Sequence, residues 1–520
     1  MQSPATRGAL ALAVLAMSLT MAGCASMGGV APQAKQTDPA TLDVGAAVRA
    51  ADRDAGWPAA DWWRAYRDPQ LDAWIAAAEA GNPTLAAAQA RVRGADALAR
   101  AAHAAELPEL NGSLQLDRQH WADNPVYYGP GPLADTTTWN NAGVLSLSYH
   151  LDLWGKDKNS TEKALDTAHA AAADARAAHL ELEVNVVRAY IDLSKNYALL
   201  DLAHQTYDQQ HALADLAHKR LQAGLGTQLE VSQAESTLPD YQRQIDSYEE
   251  AIELARHQLA ALAGKGPGAG DAIKRPTLTL GAPAGLPSTI PAELLGHRPD
   301  VVAARWLVDA QARGIDVAKA AFYPNIDLVG TLGGVAVGPV FTDFLRAMNG
   351  EWTAGPALSL PIFEGGRLRA QLGATTAGYD IAVDQYNQTI VGALKSVADG
   401  VVRIRSLDTQ KRDAARSVAA TRRTYELSRE GFRRGLTDYV NVLLAQSALL
   451  RAQQTAATID ADRLAAHASL MAALGGGVER GDDVPGKPAP DGNASDGKAP
   501  AAAALSASPT PAATPVAQAQ

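Results

Sequence analysis

The sequence predicts a mixed α+β chain, internally duplicated, whose halves each join two membrane-type strands to helices far too long for a globule. Three observations carry this. The chain repeats itself at an offset near 211 to 216 residues, residues 144–153 alternate strictly between apolar and polar, and no Pro or Gly interrupts residues 156–222.

Composition excludes several classes. The 520 residues carry 46 Lys+Arg against 56 Asp+Glu, a net charge of −10, which argues against a nucleic-acid partner. Aromatics are only 5 % and Ala recurs throughout, which suits long, closely packed helices. Cys24 is the single cysteine, so no intrachain disulfide and no cysteine metal cluster is expected. No mature segment reaches the roughly 18 uninterrupted apolar residues of a spanning helix.

The N-terminus reads as an address. Arg7 precedes an apolar stretch from Ala9 to Ala22, of signal-peptide length. Met21-Ala22-Gly23-Cys24 resembles the bacterial lipobox. By that resemblance residues 1–23 are removed and Cys24 carries a covalent lipid. Ala25 stands where lipoproteins held at the inner membrane usually carry Asp, so the anchor is directed to the outer membrane. One acyl anchor is modest, and other membrane contacts would add to it.

The repeat sets the organisation. Asn82-Pro83-Thr84 corresponds to Arg298-Pro299-Asp300, Leu145-Ser146-Leu147 to Leu358-Ser359-Leu360, and Gly224-Leu225 to Gly435-Leu436. The last register runs without a gap to Gly264 and Gly475. The segments are therefore 24–81, 82–264 (first repeat), a Gly/Pro-rich linker with equatorial residues over 265–297, 298–475 (second repeat), and an Ala/Pro-rich tail, 476–520, read as disordered. Each repeat begins with a helix of about 25 residues, with Pro83 or Pro299 just inside its start. It ends before Pro108 or Pro324 and is followed by two strands, a very long helix, a Gly-containing break and another long helix.

In the strands, Leu145, Leu147, Tyr149, Leu151 and Leu153 face one way, and Ser146, Ser148, His150 and Asp152 the other. Leu114 to Asp117, Ile326 to Leu332 and Leu358-Ser359-Leu360 mark the other three, with loops at 122–138 and 338–350. Trp121, Trp139, Trp352 and Tyr127-Tyr128 sit near strand ends, where interfacial aromatics collect. Four strands cannot close a barrel, which takes about eight, and open edges are not tolerated in lipid. Several chains must then share one barrel: two give eight strands, three give twelve.

The stretch 156–222 corresponds to a helix of about 100 Å at about 1.5 Å per residue. Leu182/Ala189 and Val186/Leu193/Leu200 fall at heptad spacing, as in coiled-coil packing. Asp201/His204, Asp208/His211 and Asp215/His218 also repeat every seven residues. Successive pairs lie about 10 Å apart along the helix, too far to share an ion, so the stripe is read as a solvated, weakly paired face and no metal is expected. No nucleophile elbow, zinc-protease motif or phosphate loop is present, and the chain is not expected to be an enzyme or to use a cofactor beyond the lipid.

Three ordered blocks carry a family resemblance: Gly296-His297-Arg298-Pro299-Asp300-Val301, then Ala320-Ala321-Phe322-Tyr323-Pro324-Asn325-Ile326, then Leu358-Ser359-Leu360-Pro361-Ile362-Phe363-Glu364-Gly365-Gly366-Arg367. They resemble the signature blocks of the outer-membrane factor family of TolC-like ducts, and the lipobox its NodT-type lipoprotein branch. The resemblance spans residues 57–477 and includes Asp61-Trp62-Trp63 of the equatorial region. It implies a homotrimer, with a twelve-stranded outer-membrane β-barrel continuous with a periplasmic α-helical barrel. It also implies partners: a periplasmic adaptor protein and an inner-membrane transporter, expected to be proton-driven, which supply selectivity and energy.

By the same resemblance the helix-turn tips dock on the adaptor. Here they are Gly224, Leu225, Gly226 and Thr227, and Gly435, Leu436, Thr437 and Asp438. Many relatives carry Asp-Ala-Gln beyond the second tip, whereas this chain has Leu444-Ala445-Gln446. The periplasmic constriction is therefore expected to be apolar, formed by Leu444 and Val440. The leading expectation is a small-molecule efflux duct. A protein-secretion duct of type I systems uses the same fold, and a lipid-anchored rod without a pore is the rival of another class.

Overall fold

A computed structural model describes residues 27–49, 57–122, 133, 135–280, 297–346 and 349–477. Cys24, Tyr127-Tyr128 and residues 478–520 lie outside the described residues. In chain order the elements are α1 (Gly45–Arg49), α2 (Pro69–Gly81), α3 (Pro83–Ala104), β1 (Glu109–His120), β2 (Thr137–His150), α4 (Lys156–Gln222), α5 (Gln228–Ser236), α6 (Leu238–Leu262), α7 (Pro299–Ala320), β3 (Asn325–Gly338), β4 (Gly350–Ser359), α8 (Arg367–Arg433) and α9 (Tyr439–Ala473). Short 3₁₀ turns lie between several of them.

The duplication is written into the geometry. α3 and α7 are both 22 residues long, and α4 and α8 both 67. Each long helix is launched by a glycine in the left-handed region, Gly155 (φ 70°) or Gly366 (φ 86°). The halves also close in the same way. Asn82 Nδ2 donates to the Leu262 carbonyl at 2.8 Å, and Arg298 Nη1 to the equivalent Ala473 carbonyl at 3.0 Å. Each side chain satisfies a carbonyl in the last turn of a helix, where no intrahelical donor remains.

The strands form one antiparallel sheet in the order β1-β2-β3-β4. β2 runs over Thr137–His150, so it starts earlier and stops sooner than the alternation from 144 to 153 suggested. Its first half is Thr, Trp and Asn, polar to both sides, which hides the period of two. Beyond His150 only Leu151 N still bonds across, to the Ile326 carbonyl at 2.9 Å.

Two further differences have local causes. The helix after the first tip is not continuous as its counterpart α9 is, but breaks between α5 and α6 at Thr237. Pro239 lacks the N–H for the helical ladder and its ring clashes with the preceding turn; the equivalent position is Leu450. The linker is not free over its described part either. Ile273 is buried, Leu278 and Leu280 pack on the core, and Thr277 N donates to Asp68 Oδ2 at 2.8 Å.

The buried residues form four clusters along the helices. Nearest the sheet, Ile315, Phe322 and Leu372 pack with Met27 and Val30. Next come Val301, Val308, Val383, Tyr386 and Ile390. The largest joins Trp62, Tyr66, Leu71 and Ile75 to mid-helix residues of α4 and α8 and to the C-terminal half of α9, and holds the heptad residues Leu182, Val186 and Leu193. The last lies at the tips. No helix among the described residues is long and apolar enough to cross a membrane.

Candidate functional site

The site is a surface and not a pocket: the sheet faces, the helix tips and the face of α9 behind them. Register separates the sheet faces. Leu110, Leu114, Leu116, Leu145, Leu147, Leu332 and Leu358 share one face, and all are exposed. Asn111, Ser113, Gln115, Ser146, Thr331 and Thr353 share the other, where Thr331 Oγ1 and Thr353 Oγ1 meet at 2.8 Å. The second face also carries Val144, Val329, Val335 and Val337, but its remaining side chains are mainly polar, and a leucine face backed by a mostly polar one suits a barrel wall between lipid and water.

At the helix end of the polar face, His150 Nδ1 lies 2.8 Å from Asp327 Oδ1 and its Nε2 3.5 Å from Asp157 Oδ2. Asp152 accepts from the N–H groups of Lys156 and Lys158 at 2.6 and 2.9 Å, which caps α4. His150, Asp152 and Asp157 form one of two three-residue groups among the described residues with spacing suited to a metal ion. The other is Glu79, His179 and Glu183. Its ligand atoms are already engaged: His179 Nδ1 lies 3.1 Å from Glu183 and Nε2 3.5 Å from Glu79, while Trp62 Nε1 donates to Glu183 at 3.0 Å. The hydrogen bond that His179 donates to Glu183 raises the His179 pKa, and burial raises that of Glu79.

The Asp/His stripe on α4 does not form its i,i+3 pairs. Asp201 is clasped by Arg275, His211 turns to Asp215 at 3.5 Å, and His218 reaches Glu235 on α5 at 2.8 Å. His211 takes the i,i+4 partner on its own helix, whereas the partners of Asp201 and His218 come from other elements, which spacing along one helix cannot reveal.

Both tips are glycine reversals. Gly224 (φ 70°) lets Leu225 N return to the Arg220 carbonyl at 2.8 Å, and Gly435 (φ 75°) lets Leu436 N return to the Gly431 carbonyl at 2.8 Å. Thr227 Oγ1 then accepts from Glu230 N at 3.2 Å and caps α5. Asp438 precedes α9 without a side-chain cap bond. Leu225 and Leu436 project outward, 70 % and 78 % exposed.

Behind the second tip, Val440 and Leu444 lie one turn apart on the exposed side of α9, while Tyr439, Val442 and Gln446 are buried. The interior holds a polar layer that sequence reasoning missed. Gln210 Nε2 donates to Tyr439 Oη at 2.7 Å and to the Ala234 carbonyl at 2.8 Å. Burial pushes the Tyr439 pKa up to about 12.

The comparisons with known proteins agree with this geometry. The sequence profile described as "Outer membrane efflux protein" matches residues 74–265 and 290–476, one segment per repeat. The chain is 66 % identical over 513 residues to the fusaric acid resistance protein FusA of Burkholderia cepacia, covering 97 % of this chain and 95 % of that one. It is 30 % identical to the multidrug resistance outer membrane protein MdtP of Escherichia coli K12, covering 91 % and 98 %. Among solved structures, the outer membrane protein VceC of Vibrio cholerae superposes with a TM-score of 0.75 at 31 % identity, covering 81 % of this chain and all of that one.

Proposed function

This chain belongs to the outer membrane efflux protein family, and from that premise we propose how its parts are used. It is an outer-membrane efflux channel and not an enzyme. Three copies of the four-stranded sheet close a twelve-stranded barrel, and the helices continue the duct into the periplasm, where it works with an adaptor and an inner-membrane transporter.

The proposed cargo is small toxic compounds, with fusaric acid the first to test, because the 66 %-identical relative is named for resistance to it. The proposed transporter is proton-driven. The exposed Leu225 and Leu436 are the proposed adaptor contacts, and three copies each of Val440 and Leu444 the proposed constriction. Their exposure in a single chain supports this, because a buried residue is not available to a lumen or a partner.

Lipidation of Cys24 has its own support. Met27 and Val30 pack beside Leu372 and Phe322, and Arg369 Nη2 donates to the Gly28 carbonyl at 3.0 Å. These lie at the turns of α7 and α8 nearest the strands. Three residues span at most about 10 Å, so the position of Met27 supports an anchor at Cys24.

The observation that carries the proposal is the continuity of membrane-type strands with 67-residue helices through Gly155 and Gly366. Deleting the gene in its host tests it. Sensitivity to fusaric acid should rise while the set of secreted proteins stays the same, and the chain expressed in trans should restore resistance. Loss of a secreted protein with unchanged sensitivity would favour the protein-secretion duct. Absence of conductance by purified trimer in planar bilayers would favour the rod.

A further inference from the structure

The connection between β3 and β4 does not extend away from the sheet. Its described residues fold back over the leucine face, at the end of the sheet away from the helices. There the leucine pattern is broken by Asn141, Gly143, Gly334 and Gly338, which share that face by register. Each is covered by the connection.

Asn141 is 1 % exposed. Its Nδ2 donates to the Phe341 carbonyl at 2.6 Å, and its Oδ1 accepts from Asp117 N at 3.1 Å. A Cβ on Gly143 would sit 2.8 Å from the Phe344 ring, one on Gly334 2.0 Å from the Phe344 carbonyl oxygen, and one on Gly338 2.7 Å from Asp343 Oδ2. Trp139 meets the Phe341 ring edge-on at 6.3 Å between centroids. The connection thus sits in a seat that its backbone fills at Gly334 and the Phe344 ring fills at Gly143, so a side chain at either glycine would displace it, whereas one at Gly338 would meet only the Asp343 carboxylate.

Its outer surface carries two large apolar side chains and one charge, the exposed Arg346 guanidinium, which is paired with Asp343 at 3.2 Å. Phe341 and Leu345 are exposed, beside the equally exposed Leu114, Leu332 and Trp352. Without the connection the Asn141 Nδ2 would face hydrocarbon with no acceptor, and the Phe341 carbonyl supplies one. The seat lies on β2 and β3, the inner strands, so copies joined at the β1 and β4 edges do not cover it.

We infer that residues 340–346 form a strap on the outside of the barrel wall, whose Phe341 and Leu345 pack against acyl chains of the outer leaflet. This rests on the barrel reading, because it takes the leucine face as the lipid face. The strap fills the glycine notch and extends the apolar belt over a polar gap that the strands alone would leave, with the charge of Arg346 paired to Asp343.

Spin labelling tests this on the full-length trimer in phosphatidylcholine vesicles. Labels are placed at Leu345→Cys and, as a reference on the leucine face outside the strap, at Leu147→Cys. Unsubstituted protein taken through the same labelling gives the Cys24 background. Collision with molecular oxygen, which partitions into lipid, is compared with collision with a water-soluble nickel chelate. Both labels should favour oxygen. Adding Gly143→Leu to Leu345→Cys should unseat the strap and reverse the preference at 345. If the 147 label favours oxygen and the 345 label favours nickel, the strap inference fails and the barrel stands. If both favour nickel, the face assignment fails and the inference with it. If Gly143→Leu leaves the 345 label unchanged in an assembled trimer, the glycine seat is wrong and the inference is overturned. Should Gly143→Leu prevent assembly, the Leu345 and Leu147 pair alone decides.

Discussion

Arg220 closes over Phe432: its guanidinium carbon lies 4.8 Å from the ring centroid and its Nη1 donates to the Phe432 carbonyl at 3.3 Å. The two residues belong to the last turns of the two 67-residue helices, so this contact ties the first tip to the second. Nη2 also donates to the Leu225 carbonyl at 3.0 Å, so one side chain holds both the reversal and its neighbour.

Arg220→Ala should therefore loosen the tips while leaving the trimer intact. A cation–π contact and a hydrogen bond from a charged donor are together worth about 2 kcal/mol. The expected outcome is a higher resting conductance in planar bilayers, with the equatorial core unaffected. Unchanged conductance would show that the tips are held without Arg220.

Leu444→Asp tests the apolar constriction. Apolar side chains at a narrow neck exclude water and ions by dewetting, and their packing contributes about 1 kcal/mol or more each. Three carboxylates near one axis should repel, admit water, raise single-channel conductance and make cells leakier to large antibiotics. A resting conductance equal to that of the parent, from protein that still inserts, would place the gate elsewhere.

Two histidines in the equatorial region should give stability opposite pH dependences. Burial lowers the His467 pKa to about 4, and the ring meets Tyr66 Oη at 3.1 Å. A depressed histidine contributes stability that is present above about pH 6.5 and lost as pH falls toward 4, a span of about 3 kcal/mol for a buried group. His467→Gln should flatten the acid side of a plot of trimer melting temperature against pH. The raised His179 contributes stability that is full below about pH 6.5 and lost as pH climbs through its raised value. His179→Gln should flatten the neutral-to-alkaline side, and an identical response from both variants would refute the assignment.

Gly264→Ala and Gly475→Ala should both destabilise. Their φ values are 67° and 95°, and a Cβ would sit 2.0 Å from the Gly81 carbonyl oxygen and 2.1 Å from that of His297. The left-handed backbone alone costs a non-glycine residue about 1–2 kcal/mol, and the overlap adds to it. Gly94→Ala, inside α3 with nothing within 4 Å, is the control and should stabilise by up to about 1 kcal/mol. Yield of assembled trimer after heating checks all three.

Mass spectrometry of mature protein should find Cys24 as an acylated N-terminus. An unmodified peptide beginning upstream of Cys24 would remove the anchor from the account.

What the sequence determined by itself was whatever depends on neighbours along the chain. Unbroken helical sequence gave α4 its bounds at Lys156 and Gln222, glycines placed the reversals at Gly224 and Gly435, and self-similarity alone reveals the duplication. The break at Thr237 is also local in origin, because Pro239 carries it. The tertiary structure decided everything that joins distant positions. Asn141 and Phe341 are 200 residues apart, Arg220 and Phe432 are 212 apart, and Asp201 finds Arg275 instead of His204. The physical reason is that backbone conformation responds to local sterics and hydrogen bonding. Which face of a strand meets lipid, and which loop fills a glycine notch, is settled only when sheet register and helix packing bring remote side chains within a few ångströms.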